Sequence, residues 1–181
     1  QDLIERLNVN PAKIRTIAHG VSANFKPATP DEIARVRAKY ALNDQFILAV
    51  GTIHPRKNLI RLIQAFEQLA PDEPGLQLVL CGSDGWRANE TRERAARSPF
   101  SDRIQVVGYF PDEDMPALYS AAKLTAFVSL YEGFGLPAIE SMASGTPVLA
   151  SHRASLPEVC GDAAVFVDPH DAVSIADGIR R

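Results

Sequence analysis

The chain alternates repeatedly between two hydrophobic periods, and that alternation leaves it few folds to choose from. Short apolar runs rich in β-branched residues fall at Ile14–Ala18, Phe46–Val50, Gln77–Leu80, Ile104–Val107, Leu124–Ser129, Val148–Ala150 and Ala164–Val167. Between them lie segments that carry the ~3.6-residue stripe of a helix. Several runs are apolar at consecutive rather than alternate positions, as a strand covered on both faces must be. Strand and helix in this repeating order build an α/β fold, a doubly wound, Rossmann-like parallel sheet flanked by helices.

The helices carry readable starts. Thr29 precedes Pro30 and is followed by Glu32, a capping box that opens a helix over Asp31–Tyr40. Asn58 is placed to cap a helix whose Leu59, Leu62, Ile63, Phe66 and Leu69 share one face. Asp112 or Asp114 starts another, with Met115, Leu118 and Tyr119. Gly135 or Leu136 opens a helix whose inner face is Ile139, Met142 and Ala143, and Gly145 ends it before Pro147. Leu156–Val159 and Ala172–Ile179 complete the set. The opening QDLIERLNV reads as the tail of a helix, and Arg180 and Arg181 fall inside a growing one. Residues 1–181 are therefore expected to be one domain of a longer polypeptide.

Composition excludes several classes. A net charge of −3 offers no bulk attraction to nucleic acid, so an anion would need locally placed cations. No stretch reaches the ~20 unbroken apolar residues of a membrane span, and the opening lacks the order of a secretory signal. A cytoplasmic location is the expectation. Cys81 and Cys160 have no ligand-like spacing and read as reduced, buried thiols. His19, His54, His152 and His170 show no metal spacing either, so no metal is expected.

In a doubly wound sheet the ligand sits outside the carboxyl ends of the strands. Two of those ends ask for an anion. In GTIHPRKN, from Gly51 to Asn58, Arg56 and Lys57 sit at the positive end of a helix. That placement costs roughly 0.3–1 kcal/mol per charge unless an anion is held between them. The bland alternative is a pair of solvated side chains. In EGFGLPAIE, Gly133 and Gly135 bracket Phe134 at a strand-to-helix turn, which lets backbone amides approach a ligand. Glu132 stands at the strand end and Glu140 a turn along the helix, where carboxylates can accept from vicinal hydroxyls. The alternative there is one strand-end and one exposed helix glutamate.

At these residues the chain resembles the family-four retaining glycosyltransferases of the GT-B fold. EGFGLPAIE followed by SMASGTPVLAS is similar to that family's paired-glutamate segment, and VGTIHPRKNLIRLIQAF to its phosphate-binding strand, loop and helix. LVLCGSDG, RIQVVGYFPDEDMPALYSAA and LPEVCGDAAVFVDP resemble its remaining segments, so the resemblance runs through roughly residues 10–181. It implies the C-terminal, donor-binding half of a GT-B enzyme, with the acceptor half on a further N-terminal domain. Carried over, Lys57 and Arg56 would hold the donor diphosphate. Glu132 would contact the transferred sugar, and Glu140 would hold the ribose hydroxyls. Amides of Phe134, Gly135 and Leu136 would reach sugar and phosphate; Gly20 and Gly51 would pass near the phosphates; Tyr109 and Phe110 would lie beside the base. Many members carry an arginine directly after the glycine of the second strand, where this chain has Thr52. Arg56 would then supply that charge.

The resemblance further implies retention at the sugar carbon, with Glu132, Lys57 and Arg56 as the catalytic groups and no cofactor or required metal ion. The GTIHPRKN style of loop is most like bacterial mannosyltransferases that build surface polysaccharide, which makes GDP-mannose the first donor to test. A carbohydrate or lipid-linked acceptor, and any peripheral membrane association, would come through the N-terminal half; the fragment alone is expected to bind donor without transfer. Three rivals stay open. Asp112-Glu113-Asp114 could bind a metal, though helix starts favour acidic residues anyway. Gly133 to Ala138 fits a loose dinucleotide pattern, with Arg153 available to an NADP 2′-phosphate. A catalytically silent interaction domain is the third. His54, Ser83 and Ser155 read as loop and turn residues, and Trp86 as a cover for apolar surface.

Overall fold

Every apolar run but the first becomes a strand of one six-stranded parallel sheet in the computed structural model, which describes residues 2–181. The strands are β1 (Gln45–Val50), β2 (Leu76–Cys81), β3 (Ile104–Val107), β4 (Leu124–Phe127), β5 (Val148–Ser151) and β6 (Ala164–Val167). Their order across the sheet is β3-β2-β1-β4-β5-β6. The chain winds outward from β1 in one direction and from β4 in the other, so a crevice opens at the tips of these two central strands. The helices are α1 (Asp2–Glu5), α2 (Pro30–Tyr40), α3 (Leu59–Leu69), α4 (Ala88–Ala96), α5 (Met115–Ala121), α6 (Leu136–Ala143), α7 (Leu156–Cys160) and α8 (Ala172–Arg180). None is long and apolar enough to cross a membrane among the described residues.

β1 shows why the apolar runs are continuous. Ile47 and Ala49 enter the core shared with α3 and α8, while Phe46 and Leu48 enter the one shared with α2 and α5. Phe46, Ile47 and Leu48 are wholly buried, each such side chain contributing about 1.5–3 kcal/mol by leaving water. A third core, with Phe127, Ala150 and Leu156, fixes α6 and α7 against β4 and β5. Thr29 forms the expected capping box: Glu32 N donates to its Oγ1 at 3.3 Å, and its own amide donates to the Glu32 carboxylate at 2.7 Å.

Ile14–Ala18 is not a strand. It is irregular, and Ile17 is 81% exposed. The residues that follow it reach the carboxyl tips of the strands, where His19 meets Phe134 and Ser22 and Asn24 line a cleft together with Val50. None of its residues pairs with a strand of the sheet, and β-branching alone does not make a strand. Helix α4 lacks the apolar stripe that marks the others; ANETRERAA buries only Ala88, Thr91 and Ala95. Asn58 does not cap α3 with its side chain. It takes a left-handed conformation (φ 59°), and its amide ties β4 to the loop after β6 by donating to the carbonyls of Val128 and Pro169. Asp114, not Asp112, immediately precedes α5.

Candidate functional site

The loop after β1 is built to return its cations to the sheet. Gly51 N donates to Cys81 O and Ile53 N to Ser83 O, both at 2.9 Å, which pins the loop to the tip of β2. A single 3-10 turn over Pro55–Lys57 follows, and His54 Nδ1 accepts from the Arg56 amide at 3.1 Å. His54 is thus a loop-fixing residue, as its isolation in the sequence suggested. The Lys57 side chain lies back over Gly51, where a β-carbon would come within 2.8 Å of Lys57 Cε; Gly51 also has φ +133°. Lys57 Nζ then reaches Glu132 Oε1 at 2.7 Å, and Arg56 reaches Glu132 Oε2 at 2.8 Å and the Tyr131 carbonyl at 2.5 Å.

Glu132 arrives from the loop after β4 and is 8% exposed. Ser129 Oγ donates to its Oε1 at 2.6 Å. Burial works to raise its pKa, but the bonds from Lys57, Ser129 and Arg56 outweigh burial and hold it below the ordinary glutamate range. The next residues form the glycine turn. Ser155 Oγ donates to the Glu132 carbonyl at 3.0 Å and to the Phe134 carbonyl at 2.8 Å, which locks the turn from the α7 side. Gly135 takes φ +103°, and a β-carbon there would sit 2.8 Å from Leu156 Cδ2. No described residue accepts from the amides of Gly133, Phe134, Gly135 or Leu136. The cluster therefore presents two cations on one carboxylate beside four open amides at the start of α6, an arrangement suited to an anion.

A cleft of about 550 Å³ adjoins this cluster at Gly51 and runs between the tips of β1 to β3 and helices α5 and α6. Glu140 lines it. Tyr119 donates to Glu140 Oε2 at 3.0 Å; burial raises the Glu140 pKa, Tyr119 partly opposes this, and the charge of Asp112 adds to the rise. Tyr109 is 69% exposed on the same rim, and its hydroxyl donates to Asp112 Oδ1 at 2.5 Å. Phe110 also lines the cleft but is 1% exposed, its ring packed edge-on against Tyr40. Of the two neighbouring aromatics, only Tyr109 offers an open face.

Gly20 lies on the irregular segment and not at a strand end; its neighbour His19 packs on Phe134 with ring centroids 4.9 Å apart. Ser22, Asn24 and Phe25 line the cleft and were not singled out in the sequence, because a segment that is no strand has no strand tip to flag. Ser155 is the turn residue its sequence context suggests, and it is also what fixes the glycine turn. Trp86 does not cover apolar surface. It is 65% exposed and stands beside the rings of His54 and the guanidinium of Arg87.

The acidic triplet before α5 divides its labour. Asp114 is fully buried and meets Arg35 and Lys39 at 2.7 Å each, with a short bond from the Tyr40 hydroxyl. Burial alone would raise its pKa, yet Lys39, Tyr40 and Arg35 lower it to about 2. It joins α2 to α5, and no metal-ligating group of acidic, His and Cys residues occurs among the described residues. The glycine turn follows β4 rather than β1, where a dinucleotide fingerprint belongs. Arg153 lies with His152 in a separate hollow beside Phe166, away from that turn's cleft. Cys81 and Cys160 are free and buried; burial pushes Cys81 up to about 12 against a bond from the Phe110 backbone.

The family model described as glycosyl transferases group 1 matches residues 31–181. The O-antigen chain mannosyltransferase B of Escherichia coli is 40% identical over 183 residues, covering 99% of this chain and 48% of that protein. The chain thus spans about half the length of this curated relative. Among solved structures, a glycosyltransferase from Rickettsia africae superposes with a TM-score of 0.89 at 24% identity, over 99% of this chain and 49% of that one. HepE of Anabaena, solved with UDP and glucose, superposes with a TM-score of 0.82 at 24% identity, over 92% and 46%. These two likenesses establish the shared α/β architecture.

Proposed function

The chain belongs to the glycosyl transferases group 1, and on that premise we propose that it holds a nucleoside-diphosphate sugar, GDP-mannose first, for retaining transfer to a carbohydrate or lipid-linked acceptor. The observation that carries this is the convergence of Arg56, Lys57 and the open amides of residues 133–136 beside a cleft lined by Glu140. The diphosphate would lie against the cations and amides, the ribose hydroxyls against Glu140, and the sugar beside Glu132 and the glycine turn. As the sugar departs, negative charge grows on a phosphate oxygen. Preorganised cations and amides aimed at that oxygen stabilise it, in the way oxyanion donors do. Glu132 holds both cations in place and so sets where that stabilisation falls.

Two cations and a helix terminus can do what a divalent ion does elsewhere, so the proposal includes no required metal. Mannose is supported by the relative that is a mannosyltransferase of O-antigen synthesis. Acceptor binding, and work at the inner face of the membrane in surface-polysaccharide synthesis, would fall to a longer protein of which this is the donor half. Calorimetric titration of GDP, UDP and ADP, with and without magnesium, tests the reading. At least one should bind, with the same Kd in both conditions; binding to none overturns the donor site. Lys57→Ala should weaken a diphosphate by about tenfold or more, through loss of a charge-assisted bond, and the bare nucleoside far less. Equal losses would contradict the role given to Lys57.

A further inference from the structure

Two carboxylates line the donor cleft. Glu140 carries a single donor, Tyr119. Asp112 takes the Tyr109 hydroxyl on Oδ1, and no described residue donates to its Oδ2. The charge of Asp112 also contributes to the raised pKa of Glu140, so the two carboxylates act on one shared space. A nucleoside with its ribose against Glu140, as proposed above, and its base against Asp112 meets a hydrogen-bond acceptor at each. It must therefore bring donors to both.

The ribose diol does so in any nucleotide; the bases differ. Uracil presents one N–H between two carbonyls, and those carbonyls would face the Asp112 charge. Adenine and cytosine each present an amino group next to a ring nitrogen that can only accept. Guanine alone among the common bases carries adjacent N–H donors, N1–H and the N2 amino group, on one edge. A carboxylate accepts such a pair side by side, and a charged acceptor facing a carbonyl or ring nitrogen rejects the competitors. We propose that Asp112 reads the base of the donor by accepting from N1 and N2 of guanine, which makes the chain selective for guanosine diphosphate sugars. Tyr109 assists twice: its hydroxyl orients the carboxylate, and its exposed ring borders the base.

This inference rests on the donor-site reading above, and the experiment separates the two. GDP, inosine diphosphate, UDP and ADP are titrated into the chain and into Asp112→Asn. Inosine diphosphate differs from GDP only by the missing N2 amino group. GDP should bind about tenfold tighter than inosine diphosphate, as expected for one lost bond to a charged acceptor, and tighter still than UDP or ADP. Asp112→Asn should weaken GDP about 10- to 100-fold, bring GDP and inosine diphosphate close together, and leave UDP unchanged or improved. Asp112 is exposed, and its side chain bonds only to Tyr109 while its backbone carbonyl, unchanged in the variant, accepts from the Met115 amide, so the variant reports on binding. Equal affinity for GDP and inosine diphosphate, UDP or ADP binding tightest, or an equal loss for all four in the variant overturns the assignment of Asp112 alone. Failure of all four to bind overturns it together with the donor site.

Discussion

Within EGFGLPAIE, Glu132 is buried and Glu140 half-buried, and burial works to raise the pKa of each. Their final shifts are opposite because their hydrogen-bond donors differ. Glu132 receives Lys57, Arg56 and Ser129 and is held low. Glu140 receives Tyr119 alone, faces the charge of Asp112, and is held high. A carboxylate whose acceptors are filled by its own fold is a fixed anchor; one with empty acceptors is available to a ligand. The same residue type in one motif thus serves positioning at one end and recognition at the other.

The widest separation between them should appear in stability. Glu132→Gln leaves Lys57, only 12% exposed, and Arg56, 40% exposed, without their counter-charge. Removing one partner of a buried pair costs about 3–5 kcal/mol; with Arg56 able to turn to water, about 3 is expected here. Glu140→Gln removes a charge that burial already disfavours and should change stability by less than about 1 kcal/mol in either direction. Urea unfolding of the two variants gives the comparison directly. Equal losses at both positions would mean that the donor count does not distinguish them.

This contrast was only half legible in the sequence. The strands were readable because a sheet covered on both faces needs unbroken apolar runs, and QFILAV and LQLVLC have them. The tips of β1 and β4 followed from that, which is why Arg56, Lys57, Glu132 and the glycine turn stood out before any geometry. The failures are equally physical. Ile14–Ala18 has strand chemistry but no neighbour with which to pair, and pairing is a long-range property. Helix α4 packs through alanine and threonine, so no apolar stripe announces it. The environment of Asp114 depends on Arg35 and Lys39 arriving from α2, some 75 positions away for Lys39, so one acid of a triplet became a buried anchor and its neighbour Asp112 a cleft residue. Likewise the opposite fates of Tyr109 and Phe110 turn on which one points at Tyr40.

The smallest expected effect sharpens the comparison most, because binding and stability should move in opposite directions. Glu140 must be ionised to accept from two hydroxyls, and its pKa lies above the ordinary 4.5. As pH falls, Glu140, shifted upward, is therefore protonated before Glu132, which is shifted downward and keeps Lys57 and Arg56 in place. Nucleoside affinity should fall as pH drops through the Glu140 pKa, bounded by about tenfold per pH unit. Guanosine is the ligand to use, since a terminal phosphate itself titrates near pH ~6. For the free protein the sign reverses. A folded-state pKa above the unfolded one favours the protonated group, so the Glu140 contribution to stability is present below the unfolded pKa and lost as pH rises through the folded one. Glu140→Gln should flatten the pH dependence of guanosine binding and remove that contribution to stability, whereas a pH profile unchanged by the substitution would place the titrating group elsewhere in the cleft.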